Sequence, residues 1–330
     1  MNALSRAVTF MLLFVLLTAA TMRTTGLDYP VYAAEFLDPV NNLSSHEVGY
    51  VALITAVGTF TGFWLVLLVS NLVFFVCHRP LLHRTRTPVQ CVALIFYLSY
   101  VGLFLIYGSP RRLIAYSIVA YVVQKIVFDP SALKRRPLRH LAFVAAAAAF
   151  HASAFVFLPV VIAYAYGRSL LHSRRKLGTL VLAALVVSGV LYASGVVDYL
   201  LVKIAYYAFD AASEQEYLED VPSVTSGLLK RVVALALLWW GTRGSPHLRR
   251  PIFDFCFMEA MLYGTLGSVS PVLAVVSSYF SLGYLLPLIT IRSPGEMISR
   301  RNLAFVAATA IYYLPTSIGL IRQFGSFYVS

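Results

Sequence analysis

Apolar runs recur from one end of the chain to the other, separated by short polar loops. Each is long enough to cross, or nearly cross, a bilayer, which takes about 20 helical residues. The runs are continuous rather than striped or alternating, so they predict helices apolar on all sides, surrounded by lipid or by one another. The first covers Met1–Ala20, read as a membrane anchor rather than a cleaved leader. The next, Gly49–Cys77, is longer than one span needs, and Gly58 and Gly62 give it places to bend. It is expected to be an interfacial helix running into a membrane helix. Spans follow at Val89–Tyr107 and Leu113–Phe128, then a long run over Leu138–Tyr166. Further spans are expected at Leu177–Ala193, Leu228–Trp240, Ile252–Gly267, Val272–Ile291 and Leu303–Ile321. The pattern describes an all-α polytopic integral membrane protein of about 10–11 transmembrane helices, one domain over 1–330.

Charge orients the runs. Of 330 residues, 59% are hydrophobic and 12% charged, against about 25% charged in soluble proteins. The net charge of +12 would suggest nucleic acid in a soluble chain. Here the basic residues cluster in short loops such as HRPLLHRTRTP, LKRRPLRH, GRSLLHSRRK and TRGSPHLRRP, the positive-inside pattern, so no nucleic-acid partner is expected. Acidic residues collect in loops at about 23–49 and 195–227, which are placed outside. A helix lying on the outer surface is expected within the second. Basic loops flank both ends of Leu138–Tyr166. The run is therefore read as a hairpin that rises to Phe150, turns near His151 and descends through Pro159.

Cys77, Cys91 and Cys256 show no CxxC spacing, and no phosphate-binding glycine loop occurs. Candidate chemistry lies elsewhere. Arg111 and Arg112 open a helix on the outer side, where the helix dipole adds to their field and two guanidinium forks suit phosphate oxygens. The plain alternative is that both snorkel to lipid head groups. His151 interrupts AAAAAFHASAF. An imidazole with an ordinary pKa near 6.5 can act as a base, yet a histidine in an apolar run is often only a packed, hydrogen-bonded side chain. His78, His83, His140, His172 and His247 lie at basic loop edges and are read as solvated or snorkelling; His46 belongs to the acidic loop. Asp28, Tyr32, Glu47 and Tyr50 put carboxylates and aromatic faces on the outer side. Glu259 sits within an apolar helix, where an acid is costly. Asp254 is read as an ion pair with Arg250. Arg23, Arg111, Arg112, Lys203, Lys230, Arg231 and Arg322 depart from the positive-inside bias, and the external arginines among them are expected to hold something anionic.

Four stretches in order resemble the EpsG family of exopolysaccharide-biosynthesis membrane proteins, relatives of Wzy-type O-antigen polymerases. They are TGLDYPVYAAEF, HEVGY, RRLIA and FHASAFVFLP, covering Asp28 to Pro159. SSYFSLGYLLP is similar to the family's Tyr-Phe helix near the C-terminus, with Val275 where an arginine is usual and Arg112 in a customary glutamine position. The resemblance implies a GT-C-like glycosyltransferase that polymerises undecaprenyl-pyrophosphate-linked repeat units at the outer face of the bacterial inner membrane. It implies no cofactor and no metal. On it, Arg111 with Arg112 would stabilise the departing pyrophosphate and His151 would orient or deprotonate the acceptor hydroxyl. Asp28, Tyr32, Glu47, Ser153 and Tyr279 would contact substrate. Flippase and chain-length regulator proteins would be partners, beside the lipid bilayer itself. Two other readings stand: a polytopic O-acyltransferase using His151 as base, and a flippase or transporter for a lipid-linked sugar.

Overall fold

The computed structural model describes residues 18–25, 28–37, 47–58, 62–85, 87–171, 224–242, 246–268, 271–289 and 300–329. Among them there is no strand. The expected span at Leu177–Ala193, most of the first anchor and most of the loop at 195–227 lie outside the described residues.

Helix α1 (Tyr29–Leu37) precedes α2 (Val48–Gly58) and α3 (Trp64–Arg84). The long apolar run thus divides between Gly58 and Gly62, as its glycines require. Helix α3 runs on past Cys77, through Pro80. HRPLLHR is therefore its last two turns and not a loop, which corrects the sequence reading. The correction matters for His78, which is buried within the packed helices instead of solvated. His140 is likewise buried, its Nδ1 2.9 Å from the Arg136 carbonyl.

Helix α4 (Pro88–Val101) opens with a capping box between Thr87 and Gln90. The Gln90 amide nitrogen also donates to the carbonyls of Leu288 and Ile289 at 3.0 and 3.3 Å. One side chain thereby satisfies the start of one helix and the end of another. A single π turn (Gly102–Ile106) closes α4 and leads into α5 (Pro110–Phe128). Ser109 caps α5 and Pro110 fills its first position, where a missing N–H costs nothing. Helix α5 is the axis of the molecule: most of its side chains are buried, and it packs on α3, α7 and α10.

Helices α6 (Pro130–Arg135) and α7 (Pro137–Phe150) follow. His151 takes an extended backbone (φ −154°, ψ 109°), which ends α7, and a 3₁₀ turn (Ala152–Phe157) leads into α8 (Leu158–Leu171). Because α8 packs on both α7 and α6, the chain doubles back at His151. A single straight span would place α8 far from α6.

The second half comprises α9 (Val224–Gly241), α10 (Pro246–Gly267), the single turn α11 (Pro271–Ala274), a 3₁₀ run (Val275–Tyr284), the single turn α12 (Leu286–Ile289) and α13 (Arg300–Val329). The expected span over Val272–Ile291 is thus a tightly wound, broken segment and not a regular α-helix. Among the described residues, four apolar stretches are long enough to cross a membrane: Trp64–Arg84, Val89–Ile106, Val224–Gly241 and Asn302–Arg322. Val48–Gly58, Pro137–Phe150, Ala152–Gly167 and Val275–Ile289 are shorter apolar stretches.

Among the described residues, the buried side chains form two cores. The large one is built on α3–α5, α7–α10, the 3₁₀ run and α13. The small one contains Tyr32, Tyr50, Ile54, Val57, Phe63, Val66 and Leu67. Among the described residues, Phe150 is the side chain that packs against both.

Candidate functional site

The polar centre forms where α5 begins and α7 ends. At the start of α5, Ser109 Oγ accepts from the Arg112 amide at 3.4 Å and shares a 2.7 Å hydrogen bond with the Tyr32 hydroxyl. The cap therefore ties α5 to α1. Arg23 secures the preceding turn by donating to the carbonyls of Tyr107 and Gly108. Its departure from the charge bias is explained by these backbone acceptors.

Arg111 projects from the first turn of α5. Its Nε donates to Tyr32 Oη at 2.8 Å and its Nη1 to Glu47 Oε2 at 2.8 Å. The Arg111 and Glu47 side chains are only 14% and 13% exposed, so water screens the pair weakly. Burial pushes the ionisation of the Tyr32 hydroxyl upward, against the opposing pull of Arg111. Tyr32 therefore stays a neutral hydroxyl beside the guanidinium.

Glu47 has a second task. Its Oε1 accepts from the Ala152 amide at 3.1 Å. That amide follows the break at His151, so no helical carbonyl is in line to receive it. One carboxylate consequently joins the arginine of α5 to the turn that carries the histidine. The approach is possible because α2 lies directly on α7: a Cβ on Gly49 would stand 2.8 Å from the Ala149 carbonyl oxygen.

His151 is half-buried. Its Nδ1 lies 2.6 Å from Ser153 Oγ, and Ser153 Oγ donates to Tyr279 Oη at 3.3 Å. A serine hydroxyl has one proton. With that proton on Tyr279, the His151 contact is made by Nδ1–H, which leaves the imidazole lone pair on Nε2. In this tautomer Nε2 is the nitrogen that can take up a proton. The Arg112 guanidinium lies 5.7 Å from the Phe104 ring centre. Its buried Nε has no hydrogen-bond partner among the described residues. The charges of both arginines are felt at Tyr32 and at Tyr279.

The structure thus joins Arg111, Tyr32 and Glu47 directly to the His151 turn, with Ser153 and Tyr279 continuing the hydrogen bonding. Asp28 is the outlier: its backbone carbonyl accepts from the Tyr32 amide at 3.1 Å, and its carboxylate acts on Tyr32 through charge. Sequence reasoning missed Ser109, although Ser-Pro before an apolar run is a helix-start signal.

A second buried polar centre lies in the other half. Glu259 is fully buried, and Arg231 grips both its oxygens at 2.8–2.9 Å. The Arg231 guanidinium also stacks on the Tyr263 ring. Asp254 accepts from the Tyr164 hydroxyl at 2.7 Å; the Arg250 side chain lies outside the described residues. Among the described residues, no group of three His, Cys, Asp or Glu side chains is placed to hold a metal ion.

Fold and site together define a multi-pass, all-α membrane protein in which an arginine–carboxylate pair is tied to the turn that carries a half-buried histidine. The chain belongs to the EpsG family, whose model matches residues 6–327, and it is a membrane protein of exopolysaccharide biosynthesis. Searches of curated proteins and of solved structures returned no match.

Proposed function

We propose that this protein is a glycosyltransferase that polymerises undecaprenyl-pyrophosphate-linked oligosaccharide repeat units into O-antigen, capsule or exopolysaccharide. The reaction takes place at the outer face of the bacterial inner membrane. The observation that carries the reading is the linkage of Arg111 to the His151 turn through Glu47. It fixes an anion-binding cation and a base-competent imidazole relative to one another, which is the preorganisation that group transfer demands.

The acceptor sugar hydroxyl attacks the anomeric carbon of the growing chain, and the bond from that carbon to the pyrophosphate oxygen breaks. His151 Nε2 takes the hydroxyl proton, while undecaprenyl pyrophosphate leaves with the bonding electron pair. Arg111 and Arg112 meet the charge that grows on the leaving oxygens, reinforced by the positive end of α5. Among the described residues no carboxylate pairs with Arg112, so its charge is the less neutralised of the two. Arg111, held by Glu47 and Tyr32, supplies a fixed positive field.

The test is complementation of the parent bacterium lacking its own copy, with membrane levels checked by blot and glycan length read on a gel. Wild type should restore long polymer. Arg111→Ala and His151→Ala should each lower polymerisation by about 10²-fold or more and leave single repeat units. A deletion strain that still makes full-length polymer and loses only acetyl groups would overturn the reading in favour of acyl transfer.

A further inference from the structure

The site depends on Tyr279, and Tyr279 lies in an unusual piece of backbone. Val275–Tyr284 is a 3₁₀ run of 10 residues, whereas such runs rarely exceed 3–4 residues because their hydrogen bonds are poorly aligned. Something outside the backbone has to hold it. Ser277 Oγ donates to Glu259 Oε1 at 3.1 Å, and the Tyr284 hydroxyl shares its proton between Glu259 Oε2 at 3.3 Å and the Cys256 carbonyl at 3.2 Å, both on α10. These two anchors bracket Tyr279. Between them, Ser281 is fastened twice. Tyr313 donates to its carbonyl at 2.8 Å, and its hydroxyl lies 3.1 Å from Tyr116 Oη.

The Tyr116 contact continues as a directed chain. Phe74 O can only accept, so in a neutral His78 ring Nδ1, 2.8 Å away, carries the proton and Nε2 accepts from Tyr97 at 2.7 Å. Tyr97 then accepts from Tyr116 at 3.0 Å, and Tyr116 accepts from Ser281. That chain ends on a neutral histidine. The Glu259 side ends on a full charge held by Arg231, with Tyr312 donating to the same carboxylate at 2.9 Å. Hydrogen bonds to an ionised acceptor are about twice as strong as neutral ones. The carboxylate is therefore the firmer of the two anchors. The segment also approaches α10 closely, since a Cβ on Gly283 would meet Cys256 Sγ at 2.9 Å.

We infer that Glu259 is a positioning residue: through Ser277 and Tyr284 it holds the 3₁₀ run that presents Tyr279 to the Ser153–His151 pair. The inference rests on the site reading above. It gives a costly buried acid, distant in sequence from the arginine and the histidine, a task in the same reaction.

Removing the carboxylate alone is a poor test, because it strands Arg231 in the interior. Ser277→Ala/Tyr284→Phe cuts both anchors and leaves the ion pair intact. In the complementation strain this variant should reach wild-type membrane levels and polymerise about tenfold to a hundredfold less, the penalty of a misplaced contact. In a Tyr279→Phe background the same pair of changes should cost less than about twofold, because the group they position is already gone. In purified protein, hydrogen exchange should quicken in 275–284 and 152–157, with α3 and α5 unchanged. An equal loss in both backgrounds, or exchange that quickens throughout, overturns the inference in favour of a general structural role. Unchanged exchange in 275–284 overturns the anchoring itself. Local quickening with polymer length unaffected overturns the role given to Tyr279 while leaving the anchoring in place, so the two failures are told apart.

Discussion

Glu47 divides its two oxygens between a guanidinium and a backbone amide, and the two contacts respond differently to substitution. Glu47→Gln keeps an oxygen for the Ala152 amide but removes the charge opposite Arg111. Polymerisation should fall about tenfold with membrane levels preserved. Glu47→Ala also orphans the amide, at about 1–3 kcal/mol, and should lower both protein level and product; glycan gels beside blots separate the two effects. Arg111 was visible in the sequence as a cation at an outer helix start, and Glu47 as one carboxylate of an acidic external loop. Their pairing was not, because 64 positions separate them and only the folded chain brings them together. His78 shows the opposite failure. Its basic neighbours marked it as solvated, but α3 continues beneath those neighbours and carries the ring into the interior.

Helix ends place the site more than helix middles do. The breaks at Gly58–Gly62 and at His151 were legible, one from glycines and the other from two basic flanks that a single span cannot reconcile. The 3₁₀ run was not. VVSSYFSLGY offers one glycine, a residue from its end, and the tighter winding is accompanied by side-chain partners on α10, α5 and α13 that only the folded chain brings up. Close helix contacts follow the same logic. Gly49→Leu would drive α2 off the Ala149 carbonyl and draw Glu47 away from Ala152. It should cost about 1–3 kcal/mol as overpacking and abolish long polymer. Gly264→Ala meets only an ordinary contact with Leu228 at 3.4 Å and should be silent or stabilise by about 0.5–1 kcal/mol. Thermal unfolding in detergent, read beside glycan length, checks both.

The doubling-back at His151 sets the topology of the whole chain. It requires the basic loops before α7 and after α8 to face the same compartment. Single cysteines at Ser131 and Ser173 should therefore react with an impermeant maleimide from one side of the membrane only, and from the same side. Labelling from opposite sides would mean a single span through His151 and an inverted second half. Composition alone announced the helical, multi-pass class. The order of packing, with α5 as axis, came from the fold.

The small core around Tyr32 and Tyr50 shares helix α3 with the large one: Val66 and Leu67 lie in the first, Phe74 and Leu81 in the second, and Phe150 packs against both. The two interiors are therefore strung on one rod. A strain applied to either is carried along it to the other instead of being absorbed at a hinge between them.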